Sequence, residues 1–273
     1  MRLAFIITWL VFGIAPVFAE SLGPDCGSLV IVGGGRMDPA IVKEFIHRAG
    51  GVDAPFVIIP TANLGEDWGD KYVAASFLVR AGAKDVKVLH TRDRAVADTE
   101  EFVAPLQRAK GVWIGGGRQW RLADVYLNTR TQCELNQCLA RGGVIGGSSA
   151  GATILGSYLV RGAVEGNEVM MAKGHEEGWG FLKASAIDQH VIARKRENHL
   201  AEVIDAHPEL LGIGIDEATA IVVTANRFRV IGASRVVIHD KNYRPVEGPR
   251  YYLLSPGEEF DLCKRCKVAA EAQ

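Results

Sequence analysis

The chain has 273 residues, a formal net charge of −1 and a sequence pI near 6.7. That balance excludes a protein that gathers nucleic acid or anionic membrane by bulk charge, and leaves small or locally charged partners. With 48% hydrophobic residues there is material for a large buried core.

The chain begins with Arg2, an apolar run from Leu3 to Phe12 and the small-residue sequence Val17-Phe18-Ala19. This reads as an export signal cleaved after Ala19, which places the mature protein outside the cytoplasm, secreted or periplasmic. Gly13 and Pro16 interrupt the stretch and it is short for a bilayer, so no membrane attachment is expected once the signal is removed. The remainder, residues 20–273, shows no repeat, low-complexity tract or linker and is read as a single domain. Cys26, Cys133, Cys138, Cys263 and Cys266 are read as bridged or simply buried in an oxidising compartment, with connectivity left open. A zinc site is not expected, because Cys263-Lys264-Arg265-Cys266 has no second cysteine pair or paired histidines to complete about four ligands.

Short apolar runs then alternate with helical patterns. Strands are read at Ser28–Val32, Phe56–Ile59, Val86–Leu89 and Val112–Ile114. Helices are read at about Pro39–Ala49, Trp68–Ala81, Ala95–Lys110, Gln119–Leu127 and Thr131–Arg141. Continuous Val/Ile/Leu runs separated by helices predict an α/β fold with a parallel sheet covered on both faces. Gly214-Ile215, Ala220–Val223, Phe228–Ile231 and Val236–Ile238 follow closely, with turn residues between them. They predict antiparallel strands added to one edge of that sheet.

Ligands of an open parallel sheet sit beyond the carboxyl ends of its strands, where three glycine-rich tips fall. Gly33-Gly34-Gly35 is not a dinucleotide loop, since Asp38 stands where a glycine is required. Gly115-Gly116-Gly117 opens the segment ending in Arg118-Gln119-Trp120. The third tip is Gly147-Ser148-Ser149-Ala150-Gly151, which fits Gly-x-Ser-x-Gly only with Ser149 at the centre. Such a strand-to-helix turn lifts one hydroxyl clear of the sheet, as a hydrolase presents a nucleophile. A helix is expected to start at the serine, through Ala150 to Leu155, and the N–H groups of Gly117 and Ala150 are expected to form an oxyanion hole.

A serine hydroxyl needs an adjacent base and a third group to orient that base. Of seven histidines, His47 and His207 lie on polar helical stretches, while His190 stands in Asp188-Gln189-His190 ahead of Arg194-Lys195-Arg196. Asp216-Glu217 follows the apolar Gly212–Ile215 and puts two carboxylates at another strand tip.

Taken together, the opening Gly-rich strand, Ile58-Ile59-Pro60-Thr61-Ala62, the turn ending at Gln119, the serine elbow, Asp188-Gln189-His190 and Gly212–Glu217 resemble the cyanophycinase and aspartyl dipeptidase family of serine peptidases. The resemblance covers nearly all of the mature chain. It implies Ser149 as nucleophile, His190 as general base and Glu217 as the acid that orients it. It also implies substrate contacts at Gln119, Asp188, Gln189, Arg194 and Arg196, and a flavodoxin-like, doubly wound sheet similar to that of class I glutamine amidotransferases. The implied reaction is hydrolysis of cyanophycin, a poly-aspartate backbone with arginine on each side-chain carboxyl, to β-Asp-Arg dipeptides. The alternative is an aspartyl or isoaspartyl dipeptidase acting on small peptides. No metal or organic cofactor is implied, and the oligomeric state is left open, a homodimer included. One departure stands out: His199 occupies a position where cyanophycinases commonly carry arginine.

Overall fold

The computed structural model describes residues 21–269, so the export signal read at 1–19 lies outside the described residues. In chain order the first half carries β1 (Ser28–Val32), α1 (Pro39–Ala49), β2 (Pro55–Ile59), α2 (Asp70–Ala74), α3 (Phe77–Arg80), β3 (Asp85–Val88), α4 (Arg94–Ala97), α5 (Glu100–Arg108) and β4 (Gly111–Ile114). Next come α6 (Gln119–Tyr126), α7 (Arg130–Ala140), β5 (Val144–Ser148), α8 (Ala150–Thr153), β6 (Gly156–Tyr158) and β7 (Leu182–Gln189). The chain continues through α9 (Leu200–Ala206), β8 (Leu211–Ile215), β9 (Thr219–Thr224), β10 (Arg227–Gly232), β11 (Val236–His239), β12 (Tyr252–Leu254), β13 (Glu259–Asp261) and β14 (Cys266–Lys267).

The strands form a nine-stranded sheet in the order β14-β13-β10-β9-β1-β5-β4-β2-β3 and a five-stranded sheet in the order β12-β11-β8-β7-β6. In the larger sheet β3, β2, β4, β5 and β1 are mutually parallel, and β9 joins β1 antiparallel with Leu29 opposite Val223. The run β3-β2-β4-β5 repeats the 2-1-3-4 start of a flavodoxin-like sheet, and β1 takes the fifth place. The fold is therefore mixed α/β with a flavodoxin-like core, as the alternating runs predict. Every residue of β1 and β4 is buried, because α1 covers one face of these central strands and an apolar layer shared with the second sheet covers the other.

Three expectations are corrected. The late strands do not all extend one edge: β9 and β10 do, but β8 and β11 enter the second sheet, where β7 and β8 run parallel. Periodicity could not show this, since the polar sequence Leu182–Gln189 hid β7, to which β8 pairs. The helices read at 68–81 and 95–110 are each split. Ser76 and Thr99 cap fresh helical starts by accepting from the N–H of Val79 and of Phe102, so local side-chain bonding overrides the longer apolar pattern. The helix after Ser149 makes one turn only, because the chain turns back to place β6 beside β7.

One apolar cluster joins the two sheets, running from Leu29, Ile31 and Ile145 to Ile187, Ile213 and Val236. Each such side chain contributes about 1.5–3 kcal/mol when fully removed from water. The cysteines form no bridge: Cys138 is buried with its thiol donating to the Ala109 carbonyl at 3.3 Å, and the other four are exposed free thiols. Burial pushes the Cys138 thiol up to about 11, which keeps it protonated and inert. No helix among the described residues is long and apolar enough to cross a membrane.

Candidate active site

The carboxyl ends of β5, β1, β7 and β8 meet along the seam between the two sheets. Ser149 leaves β5 with φ 55° and ψ −115°, a conformation rarely adopted by a side-chain-bearing residue and costing on the order of 1–3 kcal/mol. Its own N–H donates to the Val32 carbonyl at 3.1 Å, and backbone crowding keeps its flanks small. A Cβ on Gly147 would stand 2.1 Å from the Gly151 carbonyl oxygen, and one on Gly151 would stand 2.3 Å from that of Ile114. The glycines of the elbow thus answer to packing as well as to the turn.

Ser149 Oγ lies 3.0 Å from His190 Nε2, and His190 Nδ1 lies 2.6 Å from Glu217 Oε1. A carboxylate only accepts, so Nδ1–H donates to Glu217 and Nε2 is left to accept the serine proton. Burial is the main reason the His190 imidazole sits below its ordinary value; the nearby Arg194 and Arg196 charges add to this and Glu217 opposes it. The result is a neutral imidazole near pH 7, the form that takes a proton. His190 follows β7 at φ 57°, and its N–H is tied to the Gly33 carbonyl at 3.0 Å. Four other histidines are committed elsewhere: His90 to Thr61, His175 to Asp124, His199 to Arg161 and His239 to the Glu197 carbonyl.

The Gly33-Gly34-Gly35 tip, excluded as a nucleotide loop on its sequence and given no other role there, is the surface on which the triad rests. A Cβ on Gly35 would come within 2.7 Å of Glu217 Oε2, and the Gly34 carbonyl accepts from the Ala218 N–H at 2.9 Å. Asp216 serves the neighbouring turn instead. Its Oδ1 accepts from the N–H groups of Ile192 and Ala193 at 3.1 and 2.8 Å, and its Oδ2 accepts from Ser234 Oγ at 2.6 Å. These bonds fix the turn that carries Arg194 and Arg196.

Among the expected oxyanion donors, the Ala150 and Gly117 N–H groups make no hydrogen bond among the described residues. Gly116 approaches Ser149 most closely, since its Cβ would lie 3.9 Å from Oγ, while Gly117 at φ 142° packs against the Ala62 carbonyl. Two expected substrate contacts face inward instead. Asp188 is fully buried and both its oxygens are taken by Arg161, Nε at 2.8 Å and Nη2 at 2.9 Å. Gln119 is 1% exposed and donates to the Val160 carbonyl at 2.8 Å. Arg161, flanked by Val160 and Gly162 with no motif around it, carried no signal of this pairing. Arg194 is exposed with no acid partner among the described residues, whereas Arg196 and Gln189 are buried. A cavity of about 670 Å³ lies elsewhere, between α1 and α3, and touches none of these groups. No cluster of three or more metal-ligating side chains occurs among the described residues.

Residues 29–231 match the sequence profile of Peptidase family S51. The chain belongs to peptidase family S51. It is 35% identical over 221 residues to the cyanophycinase of Geminocystis herdmanii, covering 78% of this chain and 80% of that protein. The cyanophycinase of Synechococcus elongatus is 33% identical over 257 residues, covering 86% of this chain and 79% of its own. The crystal structure of a peptidase from an acI-B1 actinobacterium is similar with a TM-score of 0.66 and 25% identity, over 88% of this chain and 98% of its own. Membership of S51 makes the protein a serine-type peptidase.

Proposed function

We propose that this S51 peptidase cuts the aspartate backbone of cyanophycin and releases β-Asp-Arg dipeptides. The observation that carries the reading is the continuous hydrogen-bonded chain from Ser149 through His190 to Glu217. The similarity to cyanophycinases supports the substrate.

In this reading Ser149 Oγ attacks the scissile carbonyl as its proton passes to His190 Nε2. The imidazolium is held by Glu217 through Nδ1–H, and the oxyanion is received by backbone N–H groups of Ala150 and the Gly116-Gly117 turn. His190 then gives the proton to the departing amine, leaving an acyl-enzyme on Ser149. Water, deprotonated by the same imidazole, releases the acid and restores the serine. No step draws on a metal or organic cofactor. The exposed Arg194 and the buried Arg196 supply cations for the substrate carboxylates, and Gln189 immediately precedes the base.

A second reading, an aspartyl dipeptidase acting on small peptides, is favoured by His199 on Arg161 at the position where cyanophycinases commonly carry arginine. Purified protein incubated with insoluble cyanophycin should release soluble β-Asp-Arg, and Ser149→Ala should release none. Turnover of Asp-X or β-Asp-X dipeptides with intact polymer would establish the second reading instead. The leader ending at Ala19 supports export, which an intact-mass measurement of the secreted protein would test: a chain beginning at Glu20 agrees, and retention of residues 1–19 refutes it.

A further inference from the structure

Helix α1 carries two apolar rows. Ile41, Phe45 and Ala49 are buried with the core, while Val42 and Ile46, one turn apart, line the gap that separates α1 from α3. The single turn of α3, started afresh by the Ser76 cap, supplies Phe77 to the opposite wall. This gap is the cavity of about 670 Å³, which falls within the roughly 300–1,000 Å³ of small-molecule sites. Its apolar lining is Met37, Val42, Ile46, Val52 and Phe77, of which Ile46 is buried and the other four are half-buried. Phe77 meets the Trp113 ring edge-on with centroids 4.8 Å apart, so the core braces this wall.

The charge around the cavity is of one sign. Lys43 and His47 form a polar row on α1 beside Val42 and Ile46, and Arg36 and Arg80 line the same cavity from the segment before α1 and from the end of α3. All four side chains are exposed, and none has an acid partner among the described residues. No aspartate or glutamate lines the cavity. The acids nearest in sequence are engaged elsewhere: Glu44 with Arg48 at 2.8 Å and Arg229 at 3.6 Å, Asp53 with Lys84 at 2.7 Å, and Asp38 with the Ala40 N–H at 2.7 Å.

We propose that this cavity binds a small amphipathic anion, a molecule with an aromatic or aliphatic body and a single carboxylate or sulfonate head. The body displaces water from the apolar lining, and the head stands among Arg36, Lys43 and Arg80. A neutral body gains only the first of these contributions, and a cationic head meets repulsion. A second copy of the chain is a poor occupant, because an isologous pair centred here would set the same cations against one another. The inference is independent of the cyanophycin reading, since no member of the triad lines the cavity.

The test uses the fluorescent probe anilinonaphthalene sulfonate and its uncharged analogue phenylnaphthylamine, which has the same rings without the sulfonate. Titration of the full chain should show saturable binding of the sulfonate at a single site, about tenfold tighter than the analogue, as expected for a few exposed charge contacts. Lys43→Gln combined with Arg80→Gln should remove most of that tenfold advantage and leave the analogue as it was. Val42→Trp should fill the cavity and abolish binding of both probes. Ala81→Trp, from an exposed position on the other wall, should do the same without touching the core, and thermal unfolding checks that each variant is folded. Sulfonate binding that survives both tryptophan variants would place the probe elsewhere, and equal affinity for the two probes would leave the cations without a role. Either result overturns the site, as does a dimer in sedimentation that Ala81→Trp converts to monomers, which would give the cavity to a second copy.

Discussion

Gly34 lies against the edge of the His190 ring so closely that a Cβ there would stand 2.2 Å from Cε1 and 2.5 Å from Nε2. Its φ of 115° is also one that side-chain-bearing residues rarely adopt. Gly34→Ala should therefore displace the imidazole from Ser149 and lower kcat on the order of 100-fold, the cost of roughly 1 Å of misplacement. Steady-state kinetics beside a thermal unfolding curve checks this. An equal loss of folded protein would assign the effect to the backbone instead.

The pH profile follows from the neutral imidazole. Because burial and the two arginines hold His190 below its ordinary value, the acid limb of kcat/KM should fall below about pH 6.5, with activity lost as pH drops through it. Arg194→Gln removes a cation that lowers the value, so the limb should move to higher pH. Glu217→Gln removes the anion that raises it, so the limb should move lower, and kcat should fall by roughly 10³ to 10⁴ as the tautomer is lost. Movement of either limb the other way contradicts the assignment.

Asp216 acts through the turn it holds. Asp216→Ala breaks three hydrogen bonds to Ile192, Ala193 and Ser234, and should loosen Arg194 and Arg196. KM should rise on the order of tenfold, the worth of one lost charge-assisted contact at about 1.5 kcal/mol, while the acid limb moves upward, if at all, by no more than Arg194→Gln moves it. Michaelis kinetics across pH check this: an unchanged KM would show that the turn holds without Asp216.

The Arg161–Asp188 pair is fully buried, so removing one partner strands a charge. Asp188→Ala should cost about 3–5 kcal/mol of stability, read as a lower midpoint in denaturant, while the double replacement Arg161→Met with Asp188→Leu should recover most of it. A double variant no better than the single one would show that the hydrogen bonds of Arg161 to Asn167 and His199 dominate.

Runs such as Leu29–Val32 and Val112–Ile114 declared buried parallel strands, because a strand covered on both faces has no use for polar residues. The serine elbow was equally plain, since a turn at φ 55° leaves little freedom in the residues around it. These features depend on neighbours in the chain, and neighbours are what a sequence displays. The seam between the sheets depends on contacts across long separations. Ser149 and His190 are 41 residues apart, and His190 and Glu217 are 27 apart. Local pattern left His190 among several histidines and did not choose between Asp216 and Glu217, so their roles came from resemblance until the packing of β7 beside β8 brought the ring to the carboxylate. Burial then decided the fates of polar residues that looked alike on paper: Asp188 is consumed by an unheralded Arg161, while Arg196 keeps an open edge, because desolvation and partner geometry exist only once the chain has closed on itself.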